Sequence, residues 1–66
     1  MKIEIDLLGP DGNAYVLLGY ASRWSKLLGR DPKPIISEMM ESNYRHLVEV
    51  FQREFGEFVE LKHKPV

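Results

Sequence analysis

The sequence predicts a small α+β domain in which two strands pack on three helices in the order β-α-α-α-β. Three observations lead to this prediction. Residues 2–8 alternate between polar and apolar side chains, which is the period of a half-buried strand. Residues 13–29 carry many apolar side chains at helical spacing, and residues 44–55 carry a narrower stripe typical of a surface helix. A chain of 66 residues has room for a single domain, 1–66.

The first strand is predicted over residues 2–8, with Ile3, Ile5 and Leu7 facing the core. Residues 9–12, Gly-Pro-Asp-Gly, follow directly. Proline fixes φ, aspartate can bond to its own backbone, and glycine accepts positive φ, so this stretch favours a tight turn. The strand therefore ends in a turn that leads straight into the next element.

Residues 13–29 form the predicted central helix, with Asn13 as its N-cap and Gly29 just beyond its end. Its apolar side chains span roughly 200°, about twice the width of an ordinary surface stripe. Such a helix needs cover from more than one direction. Gly19 lies in its interior, where glycine costs about 1 kcal/mol relative to alanine, and we interpret it as a point of close backbone approach.

A short second helix is predicted next, ending near Glu41. Asp31 caps it, and Pro32 occupies the first helical position, where the missing N–H costs little. Its apolar edge consists of Ile35, Ile36, Met39 and Met40.

The third helix begins at a cap supplied by Ser42 or Asn43 and ends at Gly56. Its apolar stripe consists of Tyr44, Leu47, Val48, Phe51 and Phe55. Residues 57–62 then alternate as a second strand, and residues 63–66 are predicted to be a loose tail.

The second strand turns Val59 and Leu61 inward. We expect the two strands to pair with each other, antiparallel, over the three helices. Two strands alone make a poor sheet, so a second copy of the chain can extend the sheet at its free outer edges. The prediction therefore includes a homodimer.

Composition argues against several classes of function. The chain has no cysteine, which excludes disulfides and thiolate metal sites. Nine basic and ten acidic residues give a net charge of −1, with no general attraction to nucleic acid or anionic lipid. No stretch approaches the roughly 18 apolar residues of a membrane span, and the opening lacks the apolar core of a secretory signal. We predict a cytoplasmic protein without a membrane anchor.

The candidate chemical sites are incomplete. His46 and His63 are the only histidines, whereas zinc needs three or four ligands. Ser42 and His46 are four residues apart, but no orienting carboxylate or oxyanion hole accompanies them. Residues 9–13 match neither nucleotide-binding loop motif. We therefore predict no enzymatic activity, no metal and no cofactor.

Three apolar side chains fall on predicted polar faces, which indicates a protein interface. Phe58 shares a strand face with Glu60 and Lys62. Val50 lies outside the stripe of the third helix, and Tyr15 lies on the polar arc of the first helix. Together with free strand edges, these residues predict a surface for another protein or a second copy.

Basic residues cluster late in the first helix and just after it: Arg23, Lys26, Arg30 and Lys33. Cations at this position complement the helix dipole and keep the exposed arc hydrated. The alternative hypothesis is that Arg23, Lys26 and Arg30 hold a small anionic ligand, so that the protein sequesters a nucleotide signal. Nucleic-acid binding is less favoured, because no aromatic side chains are interleaved with these residues.

Two segments carry a resemblance to known proteins: D-x-x-G-P-D-G-N-A-Y-V-L-L-G-Y-A near the start and S-N-Y-R-H-L-V-E-V-F later on. They resemble small uncharacterised phage and prophage-encoded proteins that share a strand, a GNA[YF] sequence, a long helix and a Y-x-H-L-x-E-V segment. The resemblance implies a phage origin and a host-cytoplasm setting, and it brings no catalytic residues. The leading hypothesis is a non-enzymatic protein–protein interaction module that self-associates and binds or inhibits a host or phage protein, with host defence factors among the candidates.

Overall fold

The computed structural model describes residues 2–64 and has the predicted order of elements. His63 and Lys64 follow the last strand without regular structure, and residues 65–66 of the predicted tail lie outside the described residues. The elements are β1 (Ile3–Asp6), α1 (Ala14–Leu27), α2 (Pro32–Met39), α3 (Tyr44–Phe55) and β2 (Val59–Lys62).

The two strands pair in parallel, so the antiparallel prediction is wrong. Ile3 lies opposite Val59, and Asp6 lies opposite Lys62, so both strands start at the same end of the sheet. A parallel pair needs a long crossover connection, usually helical. Residues 7–58, which contain all three helices, form such a connection and return the chain to the end where β1 began.

Local capping signals are confirmed. Asn13, Asp31 and Asn43 each accept a backbone N–H of the following helix through the side-chain oxygen, so Asn43 rather than Ser42 caps α3. Gly29 has φ of 73°, the left-handed conformation that the end of α1 requires.

The core lies between the helices and one face of the sheet. Val50 is 3% exposed and belongs to this core, so its prediction as an exposed interface residue is wrong. The reason is that α3 packs against α1, α2 and β2, which together bury a wider arc than its regular stripe. The largest fully buried side chains include Leu17, Met39, Val48, Phe51, Phe55 and Val59.

A close approach of backbones occurs at Gly12 rather than at Gly19. A Cβ on Gly12 would lie 1.9 Å from the carbonyl oxygen of Leu7, whereas one on Gly19 would meet nothing within 4 Å. The hydroxyl of Tyr44 donates to the Gly12 carbonyl at 2.7 Å. The turn after β1 is therefore folded tightly on itself and attached to the start of α3.

Candidate functional site

An open apolar groove lies between the start of the sheet and the last turns of α1. Four of its side chains are well exposed: Ile3 by 54%, Leu27 by 76%, Leu28 by 45% and Phe58 by 41%. Trp24 completes the lining. The groove has a volume of about 200 Å³, and all five lining side chains are apolar or aromatic. We call these five residues the apolar groove.

The strand side of the groove is held by backbone hydrogen bonds. Phe58 donates its N–H to the Phe55 carbonyl at the end of α3, and its own carbonyl accepts the N–H of Ile3, both at 2.9 Å. The alternation in residues 2–8 predicts that Ile3 is buried in the core, and this prediction is wrong, because Ile3 is 54% exposed. It lies on the same face of the sheet as the buried Val59, but no helix covers that end of β1.

The helix side of the groove depends on how α1 ends. The N–H of Arg30 donates to the Ser25 carbonyl at 2.8 Å, and the N–H of Gly29 donates to the Lys26 carbonyl at 3.0 Å. These two bonds form a Schellman motif, which stops the helix directly after Leu27 and Leu28. Both leucines lie at this end of the helix, where their side chains are exposed to solvent.

Trp24 joins the groove to the core. Its ring stacks on Tyr20 with centroids 5.0 Å apart, and it contacts Phe51 and Phe55 at 5.8 Å each. Such aromatic pairs add about 0.5–1.5 kcal/mol beyond burial. The base of the groove is therefore packed against the aromatic side chains of the core.

The structure separates the predicted interface residues. Phe58 is exposed as predicted, but it precedes β2 and lines the groove with Ile3 and Trp24, so its predicted place on a strand face with Glu60 and Lys62 is wrong. Tyr15 is 86% exposed but lies elsewhere, beside Met40 and Tyr44. Sequence reasoning missed Ile3, Trp24, Leu27 and Leu28 because all four fit a core-facing pattern. The unusually wide apolar arc of the first helix was the available signal, since so wide an arc is difficult to bury completely.

The predicted basic cluster is divided among different partners. Arg30 forms an ion pair with Glu54 of α3, and the Arg23 guanidinium lies 5.8 Å from the centre of the Tyr20 ring. Arg53 also bonds to Glu54, at 3.0 Å. The hydrogen bond from Arg30, reinforced by the one from Arg53, holds the pKa of Glu54 below its usual value. Arg30 thus links the α1–α2 connection to α3.

The two histidines have separate surroundings. His46 Nε2 lies 2.9 Å from the backbone carbonyl of Glu38, and His63 Nδ1 lies 2.9 Å from a carboxylate oxygen of Asp6. Within residues 2–64, no group of three or more histidine, aspartate or glutamate side chains is placed to hold a metal ion. Each histidine therefore has a local contact within the fold.

Comparisons with protein-family models, curated proteins and solved structures found no match. None of the helices in residues 2–64 has the length and apolar character needed to cross a membrane. The geometry of the apolar groove is therefore the basis for inferring a function.

Proposed function

We propose that this protein is a non-enzymatic protein-binding module that receives apolar side chains of a partner in the apolar groove. The observation that carries this proposal is the convergence of Ile3, Leu27, Leu28 and Phe58 around Trp24, whose ring packs on Phe51. Single exposed hydrophobic residues are ordinary, but contiguous apolar surface favours protein contact. Tryptophan is also among the residues that contribute most to binding energy at interfaces.

The phage-like segments described above support a more specific proposal. The partner is a host or phage protein in the host cytoplasm, and binding inhibits it, with a defence factor as one candidate class. A small chain can inhibit a larger protein by covering a surface that the larger protein needs. The identity of the partner is inferred from the sequence resemblance, whereas the groove is a feature of the structure.

The proposal is tested by affinity capture from a host lysate with three forms of the tagged protein. Leu27→Asp places a charge in the groove at a side chain that is already 76% exposed, so the domain should stay folded. Tyr15→Asp is the matched control, because Tyr15 is equally accessible and lies outside the groove. We expect a protein that is retained by the wild type and by Tyr15→Asp but lost with Leu27→Asp. Equal retention by all three forms would contradict the proposal.

Sequestration of a nucleotide signal has weaker support. Arg30 is engaged with Glu54, and the lining of the groove has no polar side chain to recognise a base or a phosphate. A thermal-shift screen against cyclic nucleotides separates the two functions. A true ligand at 100 times its Kd would stabilise the fold by about 2.7 kcal/mol, and we expect no such stabilisation.

A further inference from the structure

We propose that a second copy of this chain pairs edge to edge with β1, antiparallel, in the register that places Ile3 opposite Ile3 of the second copy. The product is a four-stranded sheet with the order β2-β1-β1-β2. Ile3 belongs to the apolar groove, so the two grooves meet at the twofold axis and form one larger apolar surface. The inference rests on the proposed function in one respect, because it takes the groove to be a binding surface.

Among the residues that the structure describes, no strand other than β2 pairs with β1, so its outer edge is open. The N–H groups of Ile3 and Leu7 donate to the carbonyls of Phe58 and Lys62, so the odd-numbered positions of β1 face β2. Strand alternation points the backbone groups of the even-numbered positions away from β2. An edge of this kind is a template for another strand. The positions that point outward are Lys2, Glu4 and Asp6.

Burial distinguishes β1 from β2 as the docking edge. On the core face of β2, Val59 and Leu61 are 0% and 5% exposed. On the core face of β1, Ile5 is 2% exposed but Ile3 is 54% exposed, so the uncovered part of the sheet is the start of β1. Within residues 2–64, α3 comes within 8 Å of β2 between Cα atoms, and no helix comes so close to β1. Proteins often block an edge with a proline or an inward-pointing charge. β1 has neither; it is short, at four residues, and carries charged side chains at its outward positions, but Ile3 at its start is uncovered.

Charge selects the register. With Ile3 opposite Ile3, Lys2 of each copy faces Glu4 of the other, which gives two opposite-charge pairs on the solvent face. Moving one strand by two residues brings Glu4 opposite Glu4, and like charges in that position are destabilising. The carboxylate that Lys2 would meet already has a contact in either register, because Glu4 lies 3.5 Å from Lys62 Nζ and Asp6 accepts the Leu8 N–H and contacts His63. The repulsion between the two Glu4 side chains therefore decides between the registers. A shift by one residue would place Ile3 opposite Glu4 of the second copy, so that the core faces of the two copies would lie on opposite sides of the sheet.

The available area indicates a weak dimer. A standard interface buries about 800 Å² on each partner, which is nearly a fifth of the 4477 Å² surface of this chain. The dimer contact consists of the four-residue edge of β1 together with Ile3, and it leaves the rest of the groove open. It therefore buries less than a standard interface, and the dimer should form in a concentration-dependent way.

Cysteine cross-linking tests the register directly, because the chain has no cysteine of its own. Ile3 and Ile3 of the second copy would form a non-hydrogen-bonded pair with Cα atoms about 4.5 Å apart, within the range of about 4.4–6.8 Å that a disulfide spans. We expect Ile3→Cys to oxidise rapidly to a dimer of twice 7.7 kDa. Leu8→Cys, which is 77% exposed, is the control and should stay monomeric. Equal rates for both variants would overturn the proposal.

Charge exchange provides an independent test by sedimentation of the purified protein from low micromolar to near-millimolar concentration. Lys2→Glu and Glu4→Lys should each reduce the dimer, because each opposes like charges, and the double variant should restore it. Ile3→Lys should give a folded monomer, which far-UV circular dichroism checks. A wild type that is monomeric throughout, or a double variant that stays monomeric, would overturn the proposal.

These outcomes are separable from those of the proposed function. A monomer that still captures a partner through Leu27 would overturn the dimer and leave the proposed function standing. A dimer of the expected register whose Leu27→Asp variant captures the same proteins as the wild type would support this inference and overturn the proposed function.

Discussion

Replacing Gly12 by alanine should strongly destabilise the domain. The added Cβ would lie 1.9 Å from the Leu7 carbonyl oxygen and 2.4 Å from the Leu7 carbonyl carbon, so the turn has to move. Overpacking of this kind costs about 1–3 kcal/mol. Movement of the turn also strains the hydrogen bond from the Tyr44 hydroxyl to Gly12, and losing such a bond costs about 0.5–1.5 kcal/mol.

The combined loss is roughly 2–4 kcal/mol. A domain of 66 residues has a total free energy of unfolding of roughly 3–10 kcal/mol, so Gly12→Ala should remove a large part of it. Urea denaturation followed by circular dichroism measures the change. Tyr44→Phe, which removes only the hydroxyl, should lower the free energy of unfolding by about 1 kcal/mol.

Gly19→Ala is the matched control within the same chain. A Cβ at Gly19 meets nothing within 4 Å, and the position lies in the interior of α1. Alanine should therefore raise the free energy of unfolding by about 1 kcal/mol. Gly12→Ala and Gly19→Ala are thus expected to change the free energy of unfolding in opposite directions. A loss below 1 kcal/mol for Gly12→Ala, or destabilisation by Gly19→Ala, would refute the reasoning.

Three further predictions concern the core and the ion pairs. Ser25 is fully buried, and none of the described residues bonds to its hydroxyl. Ser25→Ala should therefore raise the free energy of unfolding by about 1 kcal/mol, which a higher urea midpoint would show. Val50→Asp should unfold the protein in circular dichroism, because a charge would enter the core without a partner; a folded variant would contradict the burial of Val50. Arg30 and Arg53 lower the pKa of Glu54 below its ordinary 4.5, so the stabilisation is present above pH 4.5 and lost as pH falls through the lower folded pKa. In Arg30→Ala, the free energy of unfolding should fall less as the pH is lowered through this range, as measured by denaturation at several pH values. An unchanged pH profile would contradict the role of the Arg30–Glu54 pair.

The sequence by itself determined the order of the elements and the caps of the helices, because the signals for both are local; the strands, predicted over residues 2–8 and 57–62, are shorter in the structure, at Ile3–Asp6 and Val59–Lys62. Asn13 and Asp31 bond to backbone groups only two or three residues away, and Gly29 adopts its left-handed conformation within the same turn. Alternation in residues 2–8 and 57–62 reports on neighbouring side chains of a single strand. None of these features depends on what packs against the element.

The tertiary structure alone decided the strand direction and the composition of the candidate site. Hydrophobic spacing shows which side of an element is apolar, but it does not show which neighbour covers that side or how far the cover extends. Val50 is buried in a helix that packs against α1, α2 and β2, whereas Leu27 and Leu28 are exposed at the end of α1. Phe58 was predictable as an exposed residue, yet its meeting with Ile3 depends on the parallel pairing of two strands separated by three helices.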